Sequence, residues 1–394
     1  MSEIYIGNIT LLLSCSSRAS LLPFMIGKIL MLPDKMHAVL LTGHGGMEKL
    51  DYRTDVLIPQ PKPGELLIQI AAAGINNTDI NTRIGWYSKA VNTGTEAGGA
   101  NGFESVNDDD ASWSGTPLVF PRIQGADICG HVVAVGDGVS ETRIGERVLV
   151  RNMLRTYVGF RPYECWTIGS ECDGGFAQFS IAPAIETHPV ACNWTDAELA
   201  SVPCAYSTAE NMLHRANVGS ERVLVTGASG GVGSAAVQLA KRRGAEVTAL
   251  SSASKTTEVM ALGADRVIDR NVDLVAELGA ESMDVVIDLV AGDQWSSFLD
   301  VLLRGGRYVT AGAIAGPLTQ IDVRTLYLKD LTLFGCTFQE DEVFANLIRY
   351  IEAGEIRPVV ARTYPLRDIA LAQADFLAKK HTGKLVLIPP PVTI

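Results

Sequence analysis

Four glycines fall within seven residues of this 394-residue chain: Gly227, Gly230, Gly231 and Gly233, in the segment VLVTGASGGVGSAAVQLAKRRGAEV at 223–247. A short apolar run precedes them, and an amphipathic run ending at Gly244 follows. In that setting glycine has a physical task. The chain must turn tightly off a strand, and its backbone must approach a pyrophosphate whose charge faces the N-terminus of the next helix. The segment therefore predicts a dinucleotide site, with Gly227, Ser229, Gly230, Gly231, Val232 and Gly233 forming the phosphate loop. Ala228 interrupts the usual glycine spacing, so the prediction rests on the strand–turn–helix context. The next strand selects between cofactors. An NAD site carries Asp or Glu about 20 residues on, to accept from the ribose 2′-hydroxyl. Here EVTALSSASK offers Ser251, Ser252, Ser254 and Lys255, with Ser251 standing 21 residues after Gly230. Hydroxyls and an ammonium suit a 2′-phosphate, and NADP(H) is the expected cofactor.

The elements around this loop set the fold class. After Asn193, strand and helix patterns alternate: RVLVTG, a helix over 232–243, EVTALS, a helix near 255–262, RVID, DVVIDLV, RYVTAG and LTLFGC. Such alternation means βαβ units and an α/β, doubly wound parallel sheet of the Rossmann kind. The segment opens at Thr195, an N-cap with Glu198 three residues on, a capping-box pattern. From Met36 to about residue 192 the texture is instead short strands joined by Gly/Pro turns, a mostly β domain. Two stretches break that rhythm and read as long loops: 88–116, with Asp108, Asp109 and Asp110 in a run, and 152–173, with Cys165 and Cys172. The tail holds a strand, a helix and a last strand, and looks like material returning to the first domain. The expected organisation is an N-terminal extension over 1–35, a substrate domain over 36–192 completed by 341–394, and the Rossmann domain over 193–340.

Composition excludes several classes. The 33 basic and 44 acidic residues give a net charge of −11, with no global field to hold a phosphate backbone, so nucleic acid is not an expected partner. No run reaches the ~18 apolar residues of a membrane span, and no membrane partner is expected. Seven scattered cysteines, an odd number, fit reduced thiols in the cytoplasm better than a disulfide framework. The chain starts MSE, without the basic n-region of a signal peptide.

Five ordered motifs together resemble one family. Besides GASGGVG at 227–233, they are GINNTDINTRIGWY at 74–87, QGADICGHVVAVG at 124–136, CDGGFAQF at 172–179 and HTGKLVL at 381–387. The chain from about Met36 onward is similar to the medium-chain dehydrogenase/reductase superfamily, and within it to the zeta-crystallin-like quinone oxidoreductases. The resemblance implies a GroES-like, mostly β substrate domain beside the Rossmann sheet, with the active site between them. It implies hydride transfer from NADPH to a small-molecule acceptor, a quinone or an α,β-unsaturated carbonyl. Asn76 and Tyr87 would lie beside the nicotinamide and the acceptor, Thr208 on the nicotinamide side, and Lys384 among the cofactor contacts. Asn81 stands where the family has a second active-site tyrosine. Relatives form homodimers or homotetramers, pairing near 331–338.

Zinc alcohol dehydrogenases of the same superfamily hold a metal by Cys, a His-Glu pair and a second Cys. Matching motifs puts Asn76, Ala126, Asp127 and Cys204 at those positions. A catalytic zinc needs three protein ligands, and the expectation is no metal. Two alternatives share the scaffold, an alcohol dehydrogenase and an enoyl-thioester reductase. The latter arises because DGGFAQF also looks like crotonyl-CoA reductases, with Glu171 just before it as a candidate site carboxylate. A third, of another class, is a non-enzymatic NADPH-binding protein.

Overall fold

The computed structural model describes residues 32–392, so the extension assigned to 1–35 lies, up to residue 31, outside the described residues. Six parallel strands form one sheet: Arg222–Val225, Glu246–Ser251, Arg266–Asp269, Met283–Asp288, Leu302–Thr310 and Thr332–Gly335. Counted in chain order they lie 3-2-1-4-5-6, the doubly wound arrangement whose switch point falls between Arg222–Val225 and Met283–Asp288. The strands read as near-continuous apolar runs because helices cover both faces. The helix Gly231–Arg242 packs with small side chains, burying Ala235, Ala236, Leu239 and Ala240 in the cluster that also holds Val223 and Val225.

A second sheet is antiparallel except at its end. Its order is Thr187–Pro189, Arg147–Val150, Cys129–Val135, Glu65–Gly74, Lys384–Ile388 and Val360–Pro365, with Phe179–Pro183 also on Glu65–Gly74. The tail therefore does return: Val386 pairs with Gly74 and Leu387 with Ala73. That pairing brings Lys384 beside the Gly74–Asn76 corner. The capping box at Thr195 is present, with the Thr195 N–H donating to Glu198 Oε2 at 2.8 Å and the Glu198 N–H to Thr195 Oγ1 at 3.2 Å.

The stretch 88–116 is a long loop with most of its residues exposed, Asp108 and Asp109 among them, and a few side chains anchor it. Ser88, Val91, Thr95, Ala111 and Ser112 are buried. Arg83, itself fully buried, donates to the Gly99 carbonyl at 2.7 Å, the Gly45 carbonyl at 2.8 Å and Gln373 Oε1 at 2.8 Å. Burial pushes its guanidinium down to about 10.

Candidate functional site

The phosphate loop is made of backbone. Gly227 adopts φ +58°, a conformation side chains resist, as the chain leaves Arg222–Val225. Gly230 precedes the first turn of Gly231–Arg242. A Cβ added there would meet only the Gly227 carbonyl, at 3.4 Å, so that face is open to a phosphate. A Cβ on Gly233 would lie 2.2 Å from the Gly227 oxygen, which is why helix and turn pack so closely. At the end of the next strand, Ser251 is buried and its Oγ has no hydrogen-bond partner. An orphaned hydroxyl at this point, beside an open glycine cradle, fits the ribose and pyrophosphate of a dinucleotide.

Lys255 donates to the carbonyls of Lys379, at 2.8 Å, and His381, at 2.6 Å, leaving one N–H free. Burial lowers its ammonium, and the nearby Arg270 adds to the effect. Sequence reasoning passed over one carboxylate here. Asp269 pairs in register with Ser251 on the adjacent strand, but it is engaged by the Ala253 N–H at 3.0 Å and the Asn271 N–H at 2.9 Å. Only register reveals such a neighbour.

A cleft of about 840 Å³ brings Gly227, Gly230, Gly231, Val232 and Gly233 together with Asn76, Tyr87, Thr208 and Lys384. Ser229, Ser251, Ser252 and Lys255 are not among its walls. The deepest feature is a buried cluster. The Lys384 ammonium reaches Asp127 Oδ2 at 2.9 Å, the Ile75 carbonyl at 2.9 Å and Asn76 Oδ1. All three of its N–H groups are thereby taken, and both Lys384 and Asp127 are buried. Asn76 is equally committed, its Nδ2 donating to Asp127 at 2.8 Å and to the Gly74 carbonyl at 3.3 Å. The Cys204 N–H donates to Asp127 Oδ1 at 2.6 Å. Asp79 accepts from the Asn76 N–H at 2.7 Å and the Ala126 N–H at 3.2 Å, yet burial pushes its carboxyl up to about 7. Burial also raises the Cys204 thiol, and Asp127 adds to it. Lys384 meets the loop directly, since a Cβ on Gly231 would stand 2.8 Å from its Cδ.

The rest of the wall is polar and aromatic. Tyr87 donates to Thr78 Oγ1 at 2.9 Å and stacks edge-on against Trp113, ring centroids 4.9 Å apart. Asn81 Oδ1 accepts from Thr95 Oγ1 at 3.0 Å and so ties the wall to the 88–116 loop. Thr208 lies one turn beyond Cys204 on the helix Pro203–Arg215. Sequence reasoning missed Asn152. It is fully buried and lines the cleft; its Oδ1 accepts from Ser207 Oγ at 3.0 Å, and its Nδ2 has no partner. Nothing in the irregular stretch that contains it distinguishes that asparagine. Lys379 also enters the cleft, its ammonium pushed down to about 8 by burial. Glu171 does not line the cleft. Its carboxylate accepts from the Ser114 N–H at 2.8 Å and the Thr167 N–H at 2.9 Å, joining the two long loops.

Among the described residues no group of three or more His, Cys, Asp and Glu side chains is arranged to hold a metal ion, and no helix is long and apolar enough to cross a membrane.

A Rossmann sheet and an antiparallel domain sharing such a cleft define an oxidoreductase that uses a nicotinamide cofactor. Comparison with known proteins agrees. The alcohol dehydrogenase GroES-like domain family matches residues 62–192, the zinc-binding dehydrogenase family 262–387, and the NAD dependent epimerase/dehydratase family 223–300. A solved structure from Sinorhizobium meliloti 1021, described as a "putative alcohol dehydrogenase", is 43% identical. It covers 93% of this chain and 100% of its own, with a TM-score of 0.82. The quinone oxidoreductase of Rattus norvegicus is 28% identical over 369 residues, 90% of this chain and 98% of the relative. A chloroplastic NADPH-dependent alkenal/one oxidoreductase of Arabidopsis thaliana is 27% identical over 91% of this chain and 81% of the relative. The chain belongs to the medium-chain dehydrogenase/reductase superfamily, in its quinone-oxidoreductase-like branch.

Proposed function

We propose that this protein is an NADPH-dependent, zinc-independent reductase of quinones or α,β-unsaturated carbonyls. One observation carries the reading: a single cleft holds the phosphate loop opposite Asn152 and Thr208, side chains with N–H or O–H donors, and Tyr87, whose O–H is given to Thr78. When bound, the reduced nicotinamide supplies the hydride. The chain's own part is to orient the acceptor and stabilise the charge that develops on its oxygen. Asn152 suits that task because its Nδ2 has no partner in the protein, and since the side chain is fully buried it must turn toward the cleft to donate. Asn76 acts at one remove, anchoring Lys384 and Asp127 where its own donors are spent.

Independence from zinc is supported by the donor set. A dication between Asn76 and Asp127 would face the Lys384 ammonium already bonded to both. The preference for NADPH is supported by the absence of an acid from 251–255 and by the free N–H of Lys255. Gly227 to Gly233, Ser251, Ser252 and Lys255 would hold the cofactor, with the Lys384 stem packed beneath Gly231. A homodimer or homotetramer in the cytoplasm accompanies this reading. Thr332–Gly335 is an edge strand with Leu333 exposed, and Val323, Tyr327 and Leu328 are exposed on the helix before it.

Following NADPH and NADH oxidation with a panel of quinones and enals tests the reading. Turnover with NADPH, bound at least ~10-fold tighter than NADH, and undiminished by chelator, is expected. Cofactor binding with no oxidation by any acceptor would leave a non-enzymatic NADPH-binding protein. One stoichiometric zinc would overturn the account of Lys384.

A further inference from the structure

Beside the cleft lies a second, open cavity of about 870 Å³, lined by the two long loops and by Pro117 to Arg122. Both spaces share Tyr87, Trp113, Tyr163 and Thr337, so each opens where the other ends. The second is walled by Trp113, Tyr163, Trp166, Leu118, Val119 and Val158. It is a built space: Glu171 bonds Ser114 from one loop and Thr167 from the other, and the Trp113 N–H reaches Ser170 Oγ at 3.4 Å. Tyr163 is 76% exposed and Val119 68%, apolar surface that folding leaves uncovered at the rim. Tyr163 is also held at φ +61° and Phe160, in the same loop, at φ +56°. Bulky side chains resist that conformation, and it concentrates at ligand clamps.

The cations here are paired. Arg122 pairs with Asp173 at 2.9 Å and Arg161 with Glu164 at 2.5 Å, while Glu171 adds a further carboxylate. No cation is left over for a phosphate, and an anionic carrier would meet Glu164 and Glu171.

We propose that this cavity is a subsite for the non-reacting end of the acceptor, and that this end is an uncharged aromatic or branched apolar group. The substrate class is then a quinone or enone bearing a large apolar substituent, and not a thioester on a polyanionic carrier. The inference rests on reading the adjoining cleft as the hydride-transfer site.

Two readouts test it on the full chain. N-phenyl-1-naphthylamine, a neutral fluorescent probe, reports binding without turnover. Steady-state kinetics compare 1,4-benzoquinone, 2-phenyl-1,4-benzoquinone and crotonyl-CoA. Burying the phenyl ring should raise kcat/KM over benzoquinone at least about tenfold. Val119→Asp, at an exposed rim position, should remove most of that advantage and weaken the probe about fivefold or more, with benzoquinone turnover unchanged. Trp166→Ser should do the same by opening the wall. Probe binding and a phenyl advantage that both variants leave intact would overturn the subsite, as would crotonyl-CoA as the preferred acceptor. Weakened probe binding in the variants of a protein that reduces no acceptor would uphold the apolar subsite and sink the hydride-transfer reading instead.

Discussion

The two walls of the cleft are made of different material. The cofactor wall is backbone: Gly227 to Gly233 form one short turn, and what matters there is side chains that are missing. The acceptor wall is side chains, with Asn76, Tyr87, Asn152 and Thr208 drawn from separate segments of the chain. A backbone site tolerates almost no addition, whereas a side-chain site can be retuned one residue at a time. Lys384 is the seam, its stem against Gly231 and its ammonium against Asn76 and Asp127.

The largest effect is expected at that seam. Lys384→Met leaves the Asp127 carboxylate buried and unpaired, which costs about 3–5 kcal/mol of stability in comparable buried pairs. Chemical denaturation measures it, and adding Asp127→Asn should recover much of the loss. A Lys384→Met protein as stable as the parent would mean that the two walls stand independently.

A smaller effect should stay on one wall. Gly233→Ala places a methyl where the Gly227 oxygen already is, so the turn must open. NADPH affinity should fall about 100-fold, near 2.7 kcal/mol, while the apolar probe binds as before. Equal losses for both ligands would erase the distinction between the walls.

The same contrast decides what was legible in the sequence. A phosphate loop needs contiguous glycines after a strand, so it was visible in one line, as were the six-strand alternation and the return of the tail. Asn76, Tyr87 and Thr208 were reached through motif resemblance, and all three line the cleft. The geometry of Asn76 was not visible, because its partners Asp127 and Lys384 are 51 and 308 residues away. Asn152 had no local signature, since being buried without a partner is a property of the packed state. The 88–116 stretch was legible as a loop, but which of its side chains, Ser88, Val91, Thr95, Ala111 and Ser112, anchor it by burial was not.

The smallest effect asks whether the acceptor wall acts chemically or only by shape. Asn152 Nδ2, in a buried side chain, has no partner, so if it turns to the acceptor its deletion should be felt only when an oxygen there gains charge. Asn152→Ala should lower kcat with the best quinone or enal about tenfold, near 1.4 kcal/mol, the lower end for one lost transition-state hydrogen bond. NADPH affinity should not change, because the phosphate loop and the end of the Glu246–Ser251 strand are untouched. Asn152→Asp keeps the shape and presents an acceptor in place of the donor, so its kcat should fall at least as far. If both variants keep the parent kcat, the hydrogen-bond role passes to the Thr208 hydroxyl and to Thr78, which takes the Tyr87 O–H. If Ala is impaired and Asp is not, the side chain fills space and nothing more. A loss in both, with cofactor binding intact, assigns Asn152 to the acceptor's oxygen and makes that wall chemically as specific as the glycine turn facing it.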